Sequence, residues 1–400
     1  MLNKILSYLA LGLQHVVAMV GATVLVPLLT GLDVGVALVA SGIGTLIYII
    51  CTKGKVPMYL GSSFAFIAAI STAGAMGGYG SAFIGLIVVG LIYVVVSIVI
   101  MFAGKQWLKD LLPPVVVGPM IIIIGMSLAY VAVGSAGLDG ESGWRVPLVA
   151  TFTFGLVALV STFGKGFIKV VPFLLAILGG YVFAMIFGLV DFGIFREVSF
   201  FQIPNFQFIG TYNLDFSAVL LFAPIAFVTI AEHIGDHSVL GEILEEDFIE
   251  NPGLDKTLLG DGLATMASGL IGGPANTSYG ENIGVVAMTK TKSAWITGIA
   301  AGFAIMLGFL GYIQAFVYSI PWAVIGGVTI ILYGLIASSG VRVMIKNKVD
   351  MSKNRNLIIV STMLVIGLGG AVLTIGNFAM VGMSLAMVIG MLLNKLLPQE

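Results

Sequence analysis

The chain has 400 residues, of which 59% are hydrophobic and only 9% charged, with a mean hydropathy of +1.11; soluble domains carry about 25% charged residues, so a soluble protein is excluded. The 18 Lys+Arg against 19 Asp+Glu leave no basic face for nucleic acid, and the single cysteine, Cys51, cannot form an internal disulfide. What remains is an all-α polytopic membrane protein, because a hydrocarbon core of about 30 Å takes roughly 20 apolar residues per helix.

The first apolar run follows Lys4 and continues past Pro27 without a clear small-residue cleavage site, so it reads as a span and not as a removed signal. It carries two polar side chains, Gln14 and His15, suited to inter-helix bonding or ligand contact. A second span is centred near residue 42. The third starts at "GSSFAF" (61–66), is interrupted by small and polar residues, and cannot be a simple full-length span. Spans near 91, 124, 155 and 180 follow, then others near 227, 265, 284, 304, 332, 364 and 386, giving fourteen. The tenth, starting at "SYGENIG" (278–284), is broken like the third. With the N-terminus inside, 16 of the 18 Lys and Arg fall in cytoplasmic segments, leaving only Arg145 and Arg196 outside. An even number of spans with both termini cytoplasmic is therefore expected.

The halves echo each other. "PPVVVGPMIIIIGMSLA" (113–129) aligns with "PWAVIGGVTIILYGLIA" (321–337), and the broken segments each follow a proline, Pro57 and Pro274. Seven spans per repeat invert the second copy, and inverted repeats with paired broken helices point to a secondary transporter with its site near the midplane. Unwound backbone is tolerated at that depth only where protein or a cavity satisfies it. The two breaks are thus expected to face each other around a substrate.

The densest polar group is "IAEHIGDH" (230–237). Helical spacing puts Glu232 and Asp236 on one face and His233 and His237 on the adjacent one. With Glu281 they can line one cavity; the alternative leaves Asp236 and His237 near a helix end in headgroup water. A carboxylate there can accept charge-assisted hydrogen bonds from ligand N–H groups. It can also carry a proton, since removal from water favours the neutral form of an acid. Gly280 and Gly284 permit close backbone approach, with Asn282 shaping the break between them. Phe64 offers a flat π face and Tyr333 a hydroxyl, although packing is the ordinary role of both. Asp33 and Asp261 read as loop or helix-end residues without a role. A metalloenzyme reading of His233 and His237, four apart with an acid between, lacks an assigned third ligand. No metal or cofactor is expected.

"ENIGVVAMTK" (281–290) resembles the signature [Q/E/P]-N-x-G-x-x-x-x-T-[R/K/G] of the nucleobase–ascorbate transporter family, also called nucleobase:cation symporter 2. "LGLQHVVAMVGATVLVPLLTG" (11–31), "YLGSSFAF" (59–66), "AEHIGD" and "GGPANTSYGENIG" resemble the same family, in family order over nearly the whole chain. The resemblance implies seven plus seven inverted spans in two domains: a core (1–104 and 206–316) moving against a gate (105–205 and 317–400), in a homodimer. It further implies that Glu232 and Glu281 hydrogen-bond the pyrimidine N–H groups and carbonyl region, that backbone at Phe64 and Gly280 completes the hold, that Ala22 abuts the ring and that Tyr333 approaches from the gate. Glutamate at the first signature position is similar to the bacterial uracil-carrying branch, whereas glutamine is typical of xanthine and urate carriers. The expected activity is proton-coupled import of uracil across the cell membrane. One departure keeps xanthine or a broader nucleobase range in play: uracil carriers of the family have histidine four residues after the first glutamate, where this chain has Asp236 and, one later, His237. Glu232, Asp236 and His237 are the candidates for proton coupling. An anion carrier of related fold is disfavoured by the two acids and by the chain's end at Glu400, soon after the last span. A channel would instead show conductance without nucleobase competition.

Overall fold

The computed structural model describes residues 2–196, 198–375 and 378–398. Its first half contains α1 (Leu2–Thr30), α2 (Val34–Cys51), β1 (Leu60–Ser62), α3 (Ile67–Gly77), α4 (Tyr79–Ala103), α5 (Gln106–Leu111), α6 (Pro114–Ser127), α7 (Ala129–Ser135), α8 (Arg145–Phe163) and α9 (Pro172–Ile186). The second contains α10 (Val219–Leu244), α11 (Leu254–Leu270), β2 (Asn276–Ser278), α12 (Gly280–Thr289), α13 (Ala294–Gly308), α14 (Gly311–Tyr318) and α15 (Trp322–Lys346). It ends with α16 (Asn354–Leu368), the hairpin β3 (Val372–Ile375) and β4 (Phe378–Val381), and α17 (Gly382–Leu396). Among the described residues, seven helices are long and apolar enough to cross a membrane, and five shorter apolar helices accompany them. The protein is a multi-pass membrane protein.

Glycine sets how closely the helices approach, because in lipid the association of apolar helices depends on van der Waals contact and not on water exclusion. A Cβ on Gly35 of α2 would stand 2.7 Å from the Gly308 carbonyl oxygen of α13, and one on Gly308 equally 2.7 Å from that of Gly35. The same reciprocal contact joins α4 to α11: 2.5 Å from Gly90 to the Gly262 oxygen, and 2.8 Å in return. Both crossings are antiparallel, since Gly42 meets Ala301 and Gly269 meets Phe83, seven residues along in opposite senses. The second, fourth, ninth and eleventh expected spans thus pack as two mirrored pairs. The segments that echo each other in sequence, now α6 and the first part of α15, also pack together.

The third and tenth segments are short strands followed by short helices. β1 and β2 pair antiparallel, with Leu60 opposite Ser278 and Ser62 opposite Asn276. Ser63 N–H to Ala275 O (2.9 Å) and Tyr279 N–H to Tyr59 O (3.0 Å) extend the ladder at both ends. A two-stranded ribbon has two bare edges, which are costly where water is scarce. Side chains from the neighbouring helices fill them: the hydroxyl of Thr45 on α2 donates to Leu60 O (3.3 Å), and that of Thr265 on α11 to Asn276 O (2.6 Å). Because the strands run in opposite directions, α3 and α12 leave the ribbon from opposite ends.

Candidate functional site

Glu281 lies in the first turn of α12, where the free N–H groups of a helix start favour negative charge. Glu232 and Asp236, four residues apart, project from one face of α10, and α12 packs against that helix. Gly280 is exposed, and a Cβ built on it would lie 3.8 Å from Asp236 Oδ1, so the start of α12 opens directly onto that carboxylate. Glu232, Asp236 and Glu281 are each half-buried. The start of α12, which carries Glu281, thus lies beside the face of α10 that carries Glu232 and Asp236.

The other end of the ribbon carries the aromatic groups. Phe64, in the 3-10 turn Phe64–Phe66 before α3, packs against the apolar cluster that contains Ala22 and also against the one that contains Tyr333. Phe64 therefore bridges the two clusters to which Ala22 and Tyr333 belong. Tyr333 is 2% exposed, yet its Oη finds no hydrogen-bond partner among the described residues. A cavity of about 100 Å³ lies against it, lined also by Ile67, Ser71, Thr72, Ser127 and Tyr130. Gly61 is required for the ribbon to pass, because a Cβ there would sit 2.6 Å from the Tyr279 ring, whose hydroxyl bonds Ser62 O at 3.1 Å.

His15 is buried, and Asn282 Nδ2 donates to its Nδ1 (3.0 Å) and to its carbonyl (3.2 Å), tying α1 to α12. Gln14 is half-buried on α1, and Gly284 abuts Val170 of the 3-10 turn Gly166–Val170. His237 is fully buried, which rules out headgroup water for it: Nε2 meets the Tyr48 hydroxyl at 2.5 Å and Nδ1 meets His233 O at 2.8 Å. The rings of His233 and His237 stack at 3.9 Å, with every ring nitrogen in a protein hydrogen bond.

Asp261 overturns the loop or helix-end expectation. It stands in the middle of α11 and is 0% exposed. Its Oδ2 is 2.8 Å from His233 Nδ1, 3.3 Å from the Ser278 backbone N and 3.2 Å from Ser278 Oγ, while His233 Nε2 is 2.9 Å from Thr257 Oγ1. Serine, histidine and aspartate here form no nucleophile relay, because Ser278 Oγ and Asp261 both approach the same ring nitrogen. The glycines that flank Asp261 serve helix packing: Gly260 faces Tyr48 and Gly262 faces Gly90. Asp33 conforms to expectation, capping α2 by accepting from Val36 N–H at 2.8 Å.

Comparison with known proteins adds to this geometry. The profile of the Permease family matches residues 6–376. The chain is 47% identical to the uracil permease of Bacillus caldolyticus, over 98% of this chain and 92% of that protein. To the uracil permease of Bacillus subtilis (strain 168) it is 45% identical, over 98% and 93%. Among solved structures, the transmembrane domain of the cyanobacterial bicarbonate transporter BicA superposes with a TM-score of 0.67 at 15% identity, covering 97% of this chain and 96% of that one. At that identity the likeness concerns the fold alone.

Proposed function

Because the chain belongs to the Permease family, we propose that it is a secondary transporter, and not an enzyme, that imports uracil together with a proton. The observation that carries the reading is that the start of α12, with Glu281 in its first turn, opens onto the face of α10 that carries Glu232 and Asp236, at one end of the buried ribbon. Two carboxylates side by side repel an anion but suit a neutral ring presenting N–H groups, and the relatives' names supply the ring.

In this reading Glu232 and Glu281 accept from the pyrimidine N–H groups, and backbone at Phe64 and Gly280 donates to its carbonyls. Ala22 and Phe64 bound its faces, and Tyr333 closes over it. The coupled proton resides among Glu232 and Asp236, with His237 behind them on the same helix; two neighbouring carboxylates titrate as a pair, so one binds while the other exchanges the proton. Asn282, Gly284, Gln14 and His15 hold the break in shape. The remaining architecture is that of fourteen spans as a 7+7 inverted repeat in a cell-membrane homodimer, with both termini cytoplasmic. A core (1–104 and 206–316) moves against a gate (105–205 and 317–400). The mirrored packing of α2 on α13 and α11 on α4 supports the repeat.

Uptake of labelled uracil into proteoliposomes under an inward proton gradient tests the proposal, with unlabelled xanthine as competitor. Gradient-dependent uptake that xanthine does not displace is the expected result. Equal displacement by xanthine would move the assignment to a broader nucleobase carrier, a reading that Asp236 specifically favours. Absence of gradient-dependent uracil uptake would end the proposal.

A further inference from the structure

The internal two-fold distinguishes what the ribbon needs from what it carries in addition. The first carbonyl of each strand takes a threonine hydroxyl from the adjacent helix, Thr45 in one half and Thr265 in the other. The third residue of each strand is a serine, and there the halves part. Ser62 Oγ is buried without a hydrogen-bond partner among the described residues, and α2 contains no acid. Ser278 instead gives both its backbone N–H and its hydroxyl to Asp261. A carboxylate is thus unnecessary for holding the ribbon. Its presence in one half only, and the half that carries Glu281, calls for another purpose.

Asp261 contacts the two segments that bear the site glutamates. Through His233 it holds the turn of α10 from which Glu232 projects, and that ring is fixed on its other side by Thr257 and against its face by His237. Through Ser278 it holds the strand that ends two residues before the start of α12, whose first turn carries Glu281. Charged acceptors make shorter and stronger hydrogen bonds than neutral ones, and a binding constellation must be held to within about 0.5 Å to work. We infer that Asp261 is a positioning residue that fixes Glu232 and Glu281 relative to each other, acting through His233 on α10 and Ser278 on β2. The inference rests on the reading of those glutamates as the partners of the substrate.

The test uses the purified full chain and measures equilibrium binding of labelled uracil, with 3-methyluracil, which lacks one N–H, as the competitor. Asp261→Asn keeps the shape and one acceptor oxygen but removes the charge that strengthens the hydrogen bonds converging on Oδ2 from His233 and Ser278. It is expected to weaken uracil binding about tenfold and to narrow the preference for uracil over 3-methyluracil, a ratio that mere loss of stability does not move. His233→Asn is expected to behave alike, and the double variant to be no weaker than the weaker single, because both act along one path. Uracil affinity within about twofold of the unsubstituted protein, an unchanged preference, or additive losses would overturn the inference. Ser278→Ala, which removes only the hydroxyl arm, decides the matter if Asp261→Asn does not fold: the preference narrows or the inference fails. Glu281→Gln forms the separate arm. If it leaves uracil affinity intact, the underlying reading of the glutamates is wrong, whatever Asp261 does.

Discussion

Tyr333 holds a buried phenol beside a small cavity with nothing among the described residues to bond. A buried hydroxyl without a partner costs about 1–3 kcal/mol, and that cost is relieved if a ligand supplies the partner. Tyr333→Phe is therefore expected to leave the melting temperature of the empty protein unchanged or raised, while weakening uracil binding about fivefold, the worth of one hydrogen bond. Unchanged affinity would remove Tyr333 from the binding set. Asp236 is the second test at this scale. It lies beside Gly280 at the start of α12. Asp236→Asn removes the titratable group without changing shape, so proton stimulation of uptake should be lost while uptake driven by a uracil gradient alone persists. Stimulation that survives at full strength would assign the proton elsewhere. These two residues were legible because each stands out chemically in an apolar span. Asp261 was not, because glycines on both sides look like a break when their packing partners lie in distant spans, Tyr48 in α2 and Gly90 in α4. The face presented by His237 depends equally on a neighbour that the local pattern does not reveal, the Tyr48 hydroxyl.

At the scale of elements, the sequence disclosed more than composition alone would suggest. A proline followed by small polar residues marked both breaks, and both became a strand with a short helix behind it. The strands themselves were hidden, since three residues carry no readable alternation and their pairing joins positions more than two hundred residues apart. The echo between 113–129 and 321–337 became a tight antiparallel crossing: a Cβ on Gly340 would stand 2.4 Å from the Gly118 carbonyl oxygen, and one on Gly125 2.4 Å from that of Tyr333. Backbone on both sides leaves nothing flexible to yield. Gly340→Ala is thus expected to destabilise the protein by about 1–3 kcal/mol through overpacking. On the same helix, Gly334 has nothing within 4 Å of its built Cβ. Gly334→Ala removes a flexible residue from a helix interior, worth up to about 1 kcal/mol in the stabilising direction. Melting of the two variants in one detergent checks the contrast, and equal effects would mean that α6 and α15 do not meet as closely as described.

For the molecule as a whole, the decisive question is whether the half-helix that carries Glu281 moves against its surroundings during transport. Gly284 of α12 belongs to the proposed core, and Val170, in the 3-10 turn before α9, to the proposed gate. A Cβ on Gly284 would lie 3.3 Å from Val170 Cγ1 and 3.7 Å from Cγ2, with Val170 Cβ beyond them, so cysteines at the two positions stand at the long end of disulfide reach, where Cβ atoms are about 3.5–4.5 Å apart. The natural sequence has one cysteine, Cys51, and Cys51→Ala gives a clean background. With Val170→Cys and Gly284→Cys together, oxidation should lock the two elements and abolish uracil uptake, and a reductant should restore it. Each single variant controls for crowding, because Gly284 already sits at ordinary to tight contact distance and the single change alone lowers activity if the turn cannot yield. Relative sliding of core and gate requires this contact to break in every cycle, whereas a local opening around Tyr333 does not. Uptake that continues at the unlocked rate in fully cross-linked protein would therefore place the motion within the gate, and the two-domain description would have to give way to a local one.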